Sequence, residues 1–162
     1  MDASFARRMR LPMFFLGIAG GALTLLLLQA KPGEPLTRAA LDAARATWKR
    51  VAIAHYEFEI EVSGTQQGHH SVTVRGGKVI AMTTDGAATL PHVHKFWTVE
   101  GMFDFLEAEL DRAGRRLPET SAEVILQAHF DGTRGYPLRF VRHVTGETGS
   151  IEWEMRRFAP AP

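Results

Sequence analysis

The sequence predicts an α+β fold: an antiparallel sheet of about five to six strands with two helices on one face, preceded by one N-terminal transmembrane helix. Three observations carry that expectation. Apolar residues recur at helical spacing and then switch to strict alternation, and they do so twice along the chain. The resulting order is helix, three strands, helix, three strands, without the strand–helix–strand alternation that a parallel sheet needs. Ahead of this pattern, Leu11 to Ala30 contain no charged side chain.

At 1.5 Å of rise per residue that apolar run reaches about 30 Å, the thickness of a hydrocarbon core. Arg7, Arg8 and Arg10 precede it, and Lys31 with Pro32 closes it. Arginines on the N-terminal side hold that end in the cytoplasm. The expected layout is a cytoplasmic basic segment over 1–10, an anchor in the inner membrane over 11–30, a linker over 31–37 and an extracytoplasmic domain over 38–162. The alternative is a cleaved signal segment that leaves a secreted or periplasmic chain. Ala30 suits position −1 of such a cut, whereas Leu28 is a poor residue at −3.

Two prolines and a glycine over 31–36 cannot continue a helix. Thr37 is a suitable N-cap, with Leu36 and Leu41 at the staple positions on either side. The helix that follows is expected to reach about Ala54, with Leu41, Ala44, Trp48 and Val51 as its stripe. Tyr56, Phe58, Ile60 and Val62 then alternate with Glu57, Glu59 and Glu61, a strand with one apolar and one acidic face. Ser71 to Val74 and Lys78 to Met82 flank Gly76-Gly77, a two-residue hairpin loop that places Val74 across from Val79 and Val72 across from Ala81. Residues 85–90 read as a loop of small and polar residues. Thr98 caps a second helix reaching about Ala113, with Gly114 at the C′ position, a buried stripe of Val99, Met102, Phe103, Leu106 and Leu110, and Glu100, Asp104, Glu107 and Asp111 facing water. Strands over about 122–130, 138–144 and 151–158 complete the pattern, with turns over 131–137 and 146–149.

The composition excludes several classes. At 45% hydrophobic and 23% charged the chain is globular. Of its 19 Lys and Arg and 18 Asp and Glu, only Arg7, Arg8, Arg10 and Asp2 lie in the first 30 residues, so the remaining body is close to neutral. No nucleic-acid partner is therefore expected. Cysteine is absent, which removes disulfides, thiol catalysis and cysteine-ligated zinc. Neither an activated-serine motif, a phosphate-binding glycine loop nor an H-E-x-x-H pair occurs, so no catalytic residue and no cofactor is assigned. His92 and His94 project on one side of an extended segment and are candidate metal ligands, although zinc wants three or four. Arg134, Arg139, Arg142, Arg156 and Arg157 gather on the C-terminal strands, a solvated face or one that meets anionic lipid.

Trp48 ahead of Tyr56 and Phe58, and the V-x-V-x-x-G-x-V run of Val72, Val74, Gly77 and Val79, form a recognisable series with two further motifs. One is Thr98-Val99-Glu100-Gly101-Met102-Phe103; the other is Gly135-Tyr136-Pro137, after a strand ending in Phe130-Asp131. In these features, over about residues 38–158, the chain resembles the bacterial secreted and membrane-attached proteins grouped as domain of unknown function 6174. The resemblance implies a small exported α+β domain and brings no established activity. It also implies structural roles for its motif residues Trp48, Tyr56, Gly77, Phe103, Gly135, Tyr136 and Pro137. Gly135 supplies an unusual backbone angle, Pro137 fixes the turn and Tyr136 packs beside it.

Two classes of function stand. The first is a membrane-tethered, non-enzymatic binding or accessory module of the cell envelope, which presents one sheet face to a protein or peptide partner. The second is an extracytoplasmic enzyme or small-ligand binder. Its site would draw on His92, His94, Glu57, Glu59 and His129, with at least two of them converging on one pocket.

Overall fold

Helix α1 (Arg38–Val51) begins where the sequence places it, with the Ala40 amide donating to Thr37 Oγ1 at 3.2 Å. Leu36 and Leu41 are buried around the cap, as a hydrophobic staple requires. The helix stops at Val51 rather than near Ala54. Ala52 takes a left-handed conformation (φ 49°), its amide still reaching Trp48 O at 3.3 Å. The chain must reverse there to enter the sheet at Tyr56, and Val51 is left exposed. The computed structural model describes residues 33–64, 67–89, 96–115, 123–146 and 150–161. Among these no helix is long and apolar enough to cross a membrane, and the run from Leu11 to Ala30 lies outside them.

Strands β1 (Tyr56–Gly64), β2 (Gly68–Arg75), β3 (Lys78–Thr84) and β4 (Ala87–Ala88) form one antiparallel meander. After helix α2 (Val99–Gly114), strands β5 (Val124–Phe130), β6 (Pro137–Val144) and β7 (Ile151–Pro160) form a second. The two are fused by β1 and β7, which pair from Tyr56↔Pro160 to Gly64↔Ile151. The sheet therefore has seven strands in the order β4-β3-β2-β1-β7-β6-β5, not five or six. The additional strand is β4, inside the segment read as loop. Two alanines carry no strand signal; they pair because the turn at Asp85-Gly86 returns the chain alongside Thr83 and Thr84.

The hairpin at Gly76-Gly77 is as expected, with Arg75↔Lys78 and Val74↔Val79 closing it and both glycines at positive φ. Beyond it the register differs. Ile80 is an extra residue, so Val72 faces Met82 and Ala81 faces Thr73. The bulge follows from burial: it turns Met82 into the core and leaves Ile80 outside.

Inward positions of the sheet meet both helices. Trp48 packs edge-on against Tyr56, Tyr136 and Phe158, and Tyr136 stacks on Phe158 at 4.2 Å. From α2, Phe103 stacks on Phe130, and Phe105 meets Phe140 edge-on. The helices are also tied to each other across their outer sides. Arg38 pairs with Glu107 and Asp111, and Arg45 with Asp104 and Glu107. Glu34 to Leu36, read as linker, instead pair with β5. Leu36 N donates to Leu126 O at 2.9 Å and Ala128 N to Glu34 O at 3.1 Å, covering an edge that would otherwise be open.

Candidate functional site

With the helices on one side, the opposite side of the sheet is the surface that faces solvent. Alternation along β1 sends Glu57, Glu59 and Glu61 to this face, successive carboxylates standing about 7 Å apart. Left alone, such a row would repel itself. Every member has a cation instead. Arg75 reaches Glu57 at 3.0 Å, Arg157 reaches Glu59 at 3.3 Å, and Arg156 reaches Glu61 at 2.8 Å and Glu154 at 2.9 Å. Arg139 adds a bond to Glu152 at 2.6 Å. Two consecutive arginines serve the same face because β7 carries a bulge. The register shifts between Glu59 and Ile60, so that Arg157 faces Glu59 while Met155 faces Ile60. Hydrogen bonding to Glu61 holds the Arg156 guanidinium above its ordinary pKa.

On the C-terminal strands Arg139, Arg156 and Arg157 are thus in ion pairs, while Arg134 lies in the turn before β6. Arg142 turns to the helix side, where it meets the buried Glu109 of α2 at 3.2 Å; Arg112 reaches the same carboxylate.

In the middle of β2 and β3 the outward side chains opposite Glu57 and Glu59 are short. Thr73 and Ala81 lie in line with Glu57, and Ser71 and Thr83 in line with Glu59. Short side chains beside tall ones leave a step in the surface. It forms an open depression of about 170 Å³, lined by these residues, by Arg157 and by Phe58, Val72 and Met82. The hydroxyls of Ser71, Thr73 and Thr83 make no hydrogen bond among the described residues. His69 stands beside it, its Nε2 4.0 Å from Glu59 Oε2.

Of the residues nominated for chemistry, Glu57 and Glu59 share this depression. His129 does not join them. It sits on β5, opposite Arg139 and three strands from β1, about 14 Å at the usual strand spacing. His92 and His94 lie outside the described residues, among which no group of three or more His, Asp or Glu side chains is placed to hold a metal ion.

Apart from Gly77, at the exposed tip of the β2–β3 hairpin, the motif residues belong to the helix side. Gly135 has φ 82°, and a Cβ there would stand 2.3 Å from Ala44 O and 3.0 Å from Trp48 N, so the loop before β6 lies directly on the backbone of α1. Its amide donates to Asp131 O at 2.8 Å, and Asp131 N donates to Tyr136 O at 2.8 Å. Pro137 is fully buried. Gly77 donates its amide to Ala54 O at 3.1 Å, so the hairpin tip holds the α1–β1 connection. Trp48 Nε1 donates to Glu100 Oε1 at 2.9 Å, and the Tyr56 hydroxyl lies 3.4 Å from Glu100 Oε2 while accepting from Val99 N at 3.0 Å. Burial and the Glu100 charge push the Tyr56 phenol well above its ordinary range, so it stays a neutral donor.

A family model matches residues 40–140, more than half of the chain. The chain belongs to the family of unknown function DUF6174. The matched span contains every motif residue that carried the resemblance, and the aromatic and glycine contacts above are what those residues build. No curated protein matches the chain.

Sequence reasoning missed two polar residues of the helix side. Glu100 is exposed, as its helical position predicts, yet its carboxylate is also the acceptor for Trp48 and Tyr56, and Glu109 is buried beneath Arg142. The signal for Glu100 was its position two residues after a cap whose helix start packs on the sheet. For Glu109 it was an acid within the apolar stripe, three residues before an arginine.

Proposed function

We propose that this chain is a membrane-anchored, extracytoplasmic binding or accessory module of the cell envelope, and that the open sheet face is its working surface. The observation that carries this reading is the polarity of that face. It is a charge-paired surface with a shallow depression, and the helix side holds the core. A surface of that kind suits reversible recognition of a polar partner, in which rim charges set orientation and on-rate. The uncharged run from Leu11 to Ala30, with Arg7, Arg8 and Arg10 before it, supports the anchor and its orientation.

The test is a fractionation followed by capture. Full-length chain tagged at its C-terminus is expected to resist alkaline extraction from membranes and to keep its N-terminal mass. It is also expected to retain an envelope component that a Glu57→Lys, Glu59→Lys variant loses. A soluble mature chain beginning at Lys31 would remove the anchor. Equal retention by the charge-reversed variant would remove the sheet face as the working surface.

A further inference from the structure

The depression over β1, β2 and β3 has a chemistry narrow enough to name a ligand class. Its lining includes Ser71, Thr73 and Thr83, whose hydroxyls have no partner among the described residues. Its walls are the Glu57 and Glu59 carboxylates and the Arg157 guanidinium, whose side chain is 63% exposed and can turn toward a ligand.

An anion is disfavoured, because two carboxylates flank the depression and both nearby guanidiniums, Arg75 and Arg157, are paired with them. A cation meets those same guanidiniums. An apolar group would strip water from three hydroxyls and return no hydrogen bond. A neutral polyol avoids all three penalties. Each of its hydroxyls both donates and accepts: it can donate to a carboxylate oxygen, accept from a guanidinium, and do either with Ser or Thr. The charges around the depression, Glu57 and Glu59 against Arg75 and Arg157, sum to zero, which matches an uncharged ligand.

We infer that the depression formed by Glu57, Glu59, Ser71, Thr73, Thr83 and Arg157 is a binding site for a neutral saccharide. The inference rests on the reading of the open face as the working surface and gives that surface its ligand class. The saccharide is either a free sugar or a unit of an envelope glycan; the hydrogen-bonding chemistry is common to both.

The test uses the full-length chain, ¹⁵N-labelled in detergent micelles and titrated with chitotriose, with the deacetylated amine trimer of the same length, and with inorganic phosphate. Chitotriose is expected to shift amides of residues 57–59, 71–73 and 81–83, and to do so independently of salt. Thr73→Leu, which fills the depression from an outward position, is expected to weaken binding about tenfold or more, as is Glu57→Gln, which keeps size and removes the charged acceptor. Binding of only the amine trimer, lost in high salt, would make this a cation site and overturn the assignment. Binding of only phosphate, an absence of shifts, shifts mapping elsewhere, or wild-type affinity in both variants would overturn it too. Sedimentation with purified envelope glycan separates the two sources: co-sedimentation that free chitotriose competes away identifies the polymer, and chitotriose binding without co-sedimentation identifies the free sugar. If the chain is retained on whole envelopes while chitotriose leaves the spectrum unchanged, the saccharide assignment fails and the binding-module reading stands. If neither is bound, both fail.

Discussion

The two faces of the sheet obey opposite rules. On the helix side, aromatic rings meet edge-on and stacked, a glycine admits one backbone onto another, and Trp48 and Tyr56 share Glu100 as a specific hydrogen-bond partner. On the open side, the side chains are charged and partly exposed, and their ion pairs cross from strand to strand. A defect on the first side propagates through close-packed neighbours, whereas one on the second is healed by water. Apart from Gly77 at the hairpin tip, the motif residues that carry the family likeness lie on the first side. Family membership therefore reports the fold, and the chemistry of recognition has to be read from the second side.

The comparison breaks most visibly at Gly135. Gly135→Ala adds a Cβ against Ala44 O at a backbone angle that alanine adopts poorly, and is expected to cost about 3 kcal/mol or more. A urea titration should show the midpoint fall with that change, and an unchanged midpoint would mean that the loop does not rest on α1 as described. Tyr56→Phe is a smaller lesion of the same side. It leaves the Val99 amide without its acceptor and takes a donor from Glu100, for an expected loss of about 2 kcal/mol by the same titration.

His70 sharpens the contrast through pH. It points inward, its ring tilted against Trp97 at 4.4 Å and bonded through Nδ1 to Thr84 Oγ1 at 2.9 Å. Burial lowers its pKa, against the opposing pull of Asp85. The unfolded chain therefore takes up this proton first as pH falls through about 6.5. Stability from this group is complete above that value and declines below it, until the folded pKa is passed. Thermal melts between pH 7.5 and 5 should show this decline, and His70→Gln should flatten it.

The smallest effect belongs to the open side. Glu59→Gln and Arg157→Ala, singly or together, are each expected to change stability by no more than about 0.5 kcal/mol, with a coupling that fades in salt. A double-mutant cycle at two ionic strengths measures this. A coupling above about 2 kcal/mol would show that the open face holds the fold together as the helix side does.

Much of this architecture was written locally. Thr37 and Thr98 cap their helices because a hydroxyl one residue ahead of an amphipathic run satisfies an amide that the helix leaves free. Tyr56, Phe58, Ile60 and Val62 face inward because a strand alternates, and Gly76-Gly77 turns because both residues accept positive φ. Gly114 shows the limit of such signals. It is the last helical residue, and Arg115 closes the helix in a right-handed conformation. The candidate surface was half legible: the acidic row of β1 was visible, but neither its arginine partners nor the depression beside it was.

What the sequence by itself determined were the elements, their order, the antiparallel class and the family, since each depends on residues close in the chain. The tertiary structure alone decided the bulges at Ile80 and between Arg156 and its neighbours, the pairing of β4, the hydrogen bonds to Glu100 and the burial of Glu109. Those depend on contacts between segments distant in sequence. A single extra residue in a strand reassigns every side chain beyond it to the other face, and only the packing of the whole sheet decides whether that residue is inserted.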